Sequence, residues 1–169
     1  MKVYRQAFRI ATEIRKETAI AGLVCAEEPE KPLYQLIPEN LFKHCGDYIK
    51  KIVREINGSY EKGYFSCCAV MIRRLIETCM IEAFEKKQNQ ALIKNGDDYL
   101  TAAQIRNELL KNPFGNLSRN SRQALLDEEI LHLGDRCAHD RFFTARKPDI
   151  DRILPKVRDA VEYLIHQFT

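Results

Sequence analysis

No apolar run in this 169-residue chain is long enough to cross a membrane. The N-terminal stretch MKVYRQAFRIATEIRKE carries charges throughout, where a secretory signal would need an apolar segment. A soluble, cytoplasmic protein with no membrane partner is expected. Charge of one sign is also lacking. The 27 basic and 24 acidic side chains are mixed along most segments, so the net charge of +3 does not by itself imply nucleic acid. Tryptophan is absent, which excludes nothing. Six cysteines are present without a C-x-x-C pair, which argues against a zinc knuckle or a thioredoxin-like redox site. His44-Cys45 is the only adjacent His/Cys pair, and no third or fourth ligand accompanies it, so neither metal nor cofactor is expected. GxGxxG, the phosphate-loop lysine motif, H-E-x-x-H and G-x-S-x-G are all missing. No convincing strand alternation and no internal repeat appears.

What is present reads as helix. Residues 4–24 place Ala7, Phe8, Ala11 and Ile14 at helical intervals. EEPEKPLYQLIPEN follows as an irregular connection with three prolines, anchored by Leu33, Tyr34, Leu36 and Ile37. Asn40 can cap a helix running to Ile56 through Leu41, Cys45, Tyr48, Ile49 and Ile52, with Asn57-Gly58 as its stop. Residues 60–86 are the strongest helix. Lys62, Ser66, Arg73 and Glu77 form its polar stripe, and apolar residues from Tyr64 to Phe84 surround the rest, as befits the central member of a bundle. Cys67 and Cys68 are adjacent, and Cys79 and Cys137 fall in apolar helical patterns, where a reduced thiol is a small hydrophobe. Thr101 can cap a short helix ending near Leu110. Ser118 or Ser121 can cap the next, with a core stripe of Leu126, Ile130, Leu133 and Cys137. The last helix carries Ile150, Ile153, Leu154, Val157, Val161, Leu164, Ile165 and Phe168 on one face. Asp149 or Asp151 would cap it, and Pro155 fits only near its first turn. The expected architecture is a single all-α domain over 1–169, an antiparallel bundle of five to six helices with 1–40 as an N-terminal helix and proline-containing extension.

The stretch LHLGDRCAHDRFF holds most of the functional information. On a continuing helix, His132, Arg136, His139 and Phe143 form a stripe about 100–120° around from the core stripe. Asp135 stands one turn before His139 and can orient its imidazole. An imidazole beside a guanidinium suits phosphate chemistry, the one moving a proton and the other stabilising charge. A structural reading competes, in which Gly134-Asp135 turns the chain and the His139 ring bonds Asp135 or a carbonyl closing the helix. A third reading makes the segment a binding face for nucleic acid or protein. In it Arg136, Arg141, Arg146 and Lys147, with Arg152, present positive charge to phosphate; the competing reading is a solvated face on which Asp135, Asp140, Asp149 and Asp151 offset them.

GYFSCCAVMIRRLIETCMIEAFE, followed by a short helical insert, LHLGDRCAHD and a final amphipathic helix, resembles the HEPN superfamily of helical domains. More narrowly, it looks like an uncharacterised branch of that superfamily found beside restriction and defence modules. The resemblance covers roughly residues 41–168. It implies a homodimer and, in active members, a metal-independent composite ribonuclease site of an arginine, a polar residue, three further residues and a histidine. Counted back from His139, the polar position is Asp135, while Gly134 occupies the arginine position. Arg136 is displaced from that position by two residues, about 200° around the helix. The resemblance therefore implies a non-catalytic or degenerate module that dimerises and binds RNA, DNA or protein through His132, Arg136, His139, Arg141, Arg146 and Lys147. A ribonuclease using His139, Asp135 and Arg136 is the alternative.

Overall fold

The computed structural model describes residues 35–169, which lie in one compact unit, Leu33–Thr169. The helix expected over 4–24, and Leu33 and Tyr34 of the connection after it, fall outside the described residues. Six α-helices follow: α1 (Asp47–Glu61), α2 (Phe65–Lys86), α3 (Ala102–Lys111), α4 (Arg119–Leu126), α5 (Glu129–His139) and α6 (Lys147–Phe168). Among the described residues the only strands are β1 (Lys94–Asn95) and β2 (Asp98–Tyr99), an antiparallel pair in the loop before α3. No described helix is long and apolar enough to cross a membrane.

Helix α2 is the centre of the bundle because it buries about half its circumference, and four other helices share that broad face. Cys68, Ile72, Leu75, Ile76, Cys79, Met80 and Phe84 are all buried along it, and α1, α3, α5 and α6 pack against it. Burial pushes the Cys68 thiol up to about 12, so it stays protonated and packs as a small hydrophobe. Helix α6 buries its expected face from Ile150 to Ile165, with Phe168 at its margin, and also covers α4. Its cap comes from Asp149, whose carboxylate accepts the Arg146 N–H at 2.8 Å. The helix continues through Pro155 well past its first turn; the residue is exposed, and its ring costs one backbone bond without ending the helix. Thr101 caps α3 in a reciprocal box with Gln104, and Ser118 caps α4 through the Ser121 N–H at 3.1 Å.

Three expected boundaries shift, each for its own reason. Asn40 lies in a 3-10 turn (Glu39–Phe42), and α1 begins only at Asp47, whose carboxylate suits the positive end of the helix. Asn57-Gly58 does not stop α1. Asn57 is fully buried and turns inward, accepting the Ile37 N–H and donating to the Ile37 carbonyl, both at 2.9 Å. The stop falls instead at Gly63, whose φ of +75° favours glycine, so Tyr60 lies in the last turn of α1 and does not begin α2. The helix expected to run from Ser118 through Cys137 is broken at Asp127. That residue turns to extended backbone, and its carboxylate accepts the Glu129 N–H at 2.8 Å and pairs with Lys156. The break leaves Leu126 half exposed, with Leu125 in the core in its place. Arg106, buried on α3, ties down the same junction through Glu128 at 3.1 Å.

Two predictions follow from these ties. Asn57→Ala removes two buried hydrogen bonds and strands both backbone groups of Ile37, so urea denaturation should show a loss of about 2–4 kcal/mol. At Asp127, burial pushes the carboxyl up, but the Lys156 ammonium and the Glu129 N–H outweigh it and hold it below the usual carboxylate range. A depressed folded-state pKa stabilises above the unfolded value and is lost as pH falls through the folded one. The stability gap between wild type and Asp127→Asn should therefore be full at neutral pH and close as pH drops below about 4 in pH-series melts.

Candidate functional site at the end of helix α5

Helix α5 does not turn at Gly134-Asp135 but runs on to His139, because Gly134 is where it lies closest to α2. A Cβ built at residue 134 would stand 2.5 Å from the Arg73 Cβ and 3.0 Å from the Ala69 carbonyl oxygen. The residue is buried, and only glycine fits without moving a helix. One residue on, Asp135 sits with its Oδ1 2.9 Å from the Arg73 Nε. The Nε–H is not aimed well enough at the oxygen to count as a hydrogen bond, so the pairing is ionic. The other side of the Arg73 guanidinium lies 3.6 Å from Glu77, one turn along α2.

This trio changes the reading of the histidine. Asp135 is engaged by Arg73 across the helix crossing, and His139 bonds neither it nor a closing carbonyl. Among the described residues the His139 side chain has no hydrogen-bond partner. His132, Arg136 and His139 do share an exposed face. Arg136 lies over the Phe143 ring at 3.8 Å from its centroid and 3.9 Å from the Asp140 carboxylate. Asp140 also accepts the Phe142 N–H at 3.0 Å, closing a turn that leaves Phe142 83% exposed, with the Arg141 guanidinium 4.4 Å from its ring centroid.

The basic run beyond α5 divides in two. Lys147 is held by Asp151 at 2.7 Å and lies over the Tyr60 ring. Hydrogen bonding to Asp151, and then to Tyr60, raises its pKa above the ordinary lysine value. Arg152 is similarly occupied by Glu129 at 2.7 Å and Asp149 at 3.5 Å. Arg141 and Arg146 have no acidic partner among the described residues. Arg141 and Arg146 are therefore the unpaired cations of the run; Arg136 is exposed but shared with Asp140 and Phe143, on the face that carries His132 and His139.

The partner of Asp135 is the feature that sequence reasoning missed. Arg73 and Glu77 read as a local pair on a polar stripe, and nothing in their spacing reveals a partner 62 positions further along the chain. The available signal was Gly134 inside a helical pattern, which implies a close neighbour. No cluster of histidine, cysteine, aspartate or glutamate among the described residues is arranged to hold a metal ion. No family model, curated protein or solved structure matches the chain.

Gly134→Ala tests the crossing. On an open helix this change stabilises by about 1 kcal/mol, whereas here the added methyl must push α5 off α2. Thermal and urea unfolding should show a net loss of about 1–3 kcal/mol.

Proposed function

We propose that this chain is a non-catalytic, HEPN-like helical module that self-associates and binds RNA through the exposed end of α5, in a defence or regulatory setting. The observation that carries this reading is the division of labour along α5. Gly134 and Asp135 are consumed by packing and by Arg73, while His132, Arg136, His139 and the Arg141–Phe142 pair are exposed on the surface, Arg136 beside Asp140 and Phe143. A proton-transfer site needs its members held relative to one another to within a fraction of an ångström. The Asp135–Arg73 pairing removes the group that would orient His139. Arginines beside an exposed aromatic ring suit a flexible polyanion, the guanidinium meeting phosphate and the ring meeting a base. Self-association rests on the resemblance, and two-fold pairing would bring two such surfaces onto one particle.

The second reading, a metal-independent ribonuclease using His139, Asp135 and Arg136, is favoured by the accessibility of the His139 imidazole alone. One set of measurements separates the two. Filter binding of single-stranded RNA at two salt concentrations should show affinity that falls with salt, and Arg136→Ala with Arg141→Ala should weaken it roughly tenfold or more. Incubation of a mixed RNA pool with EDTA should give no cleavage. His139→Ala should keep the wild-type melting temperature, since an exposed, unbonded ring contributes little. Clear wild-type cleavage that disappears in folded His139→Ala would establish the enzyme instead. Negligible RNA affinity at low salt would redirect the surface to a protein partner, and a monomer by light scattering would remove the self-association.

A further inference from the structure

A cavity of about 410 Å³ lies between the Glu39–Phe42 turn and the first half of α1, lined by Glu39, Phe42, Lys43, Lys50, Val53 and Arg54. That is the size of a small-molecule site. Its charge is one-sided. Lys50 and Arg54 stand one turn apart on α1, and Lys43 reaches the same space from the end of the turn. Among the described residues Lys43 and Arg54 have no acidic partner, and Lys50 is 3.5 Å from Asp47, whose side chain is wholly exposed. Among the described residues the one carboxylate lining the cavity is Glu39, whose Oε1 is closed off from solvent with no donor. The described lining thus carries three cations and one carboxylate, a formal charge of +2 that the exposed Asp47 beside Lys50 offsets only in part.

We propose that this cavity binds a small phosphomonoester, of the size of a nucleoside monophosphate. A dianion matches the excess charge. The planar guanidinium of Arg54 suits two phosphate oxygens, with Lys43 and Lys50 as point charges beside it. The organic part lies along the lysine and arginine stems, against the wall that Phe42 and Val53 close from behind. Glu39 sets the charge of that wall and does not contact the ligand.

Isothermal titration of the full chain with adenosine monophosphate, inorganic phosphate and adenosine tests this assignment. The monophosphate and phosphate should bind saturably, and adenosine should not. Arg54→Ala should weaken monophosphate binding roughly tenfold while leaving the ligand-free melting temperature unchanged, since Arg54 is exposed and has no acidic partner among the described residues. Glu39→Gln should tighten binding roughly threefold by removing the opposing charge. A 5′-phosphorylated trinucleotide distinguishes the source of the phosphate. Its exclusion assigns the free mononucleotide, as the cavity volume leads us to expect, and competition assigns a nucleic-acid end. No saturable binding of monophosphate or phosphate, equal binding of adenosine, or weaker binding by Glu39→Gln would overturn the proposal.

Discussion

Helix α5 approaches α2 so closely at Gly134 that the Ala69 carbonyl and the Arg73 stem fill the space a side chain would need. Much of the surrounding arrangement depends on that approach. It lets Ile130 and Leu133 reach the core that α2 organises, and it carries Asp135 to the Arg73 guanidinium. The same rotation of α5 turns His132, Arg136 and His139 outward. The ion pair itself contributes modestly, because both side chains are partly solvated. Its effect is orientational, adding a lateral restraint to a helix that packing already holds.

Polar side chains do similar work at the other irregular points. Asn57 joins the extended segment before α1 to the inside of that helix, and Asp127 joins the α4–α5 break to α6 through Lys156. Tyr60 and Lys147 meet at Asp151, linking the end of α1 to the start of α6. Each of these groups satisfies backbone or charge that the helices cannot satisfy for themselves. The apolar core sets which helices meet, and these contacts set where each one begins and ends.

That division explains what could be read from the chain. Periodicity alone locates α2 and α6, because buried faces repeat at helical spacing over 22 residues in each. Local capping chemistry locates α3 and the start of α4, since Thr101, Gln104 and Ser118 act on neighbours within three residues. Two of the misread boundaries are decided at long range. Asn57 resembles a helix stop until Ile37 is seen to occupy both ends of its amide, and Asp127 resembles any helical polar residue until Lys156 arrives from 29 positions on. The candidate site was legible as a set of residue types and as an exposed face. Its internal pairing was not, because the partner of Asp135 comes from another helix.

The amide of Asn57 also decides where this domain can be cut. Leu36 and Ile37 are buried, the Leu36 carbonyl accepts the Arg158 guanidinium at 2.7 Å, and both backbone groups of Ile37 are bonded to Asn57. A fragment starting at the first regular helix would expose an apolar slot and leave a buried amide with no partner in the middle of α1. The minimal folding unit is therefore longer than its helices, and its N-terminal boundary lies before Leu36. The irregular residues just ahead of α1 are part of the domain, not a tether leading into it.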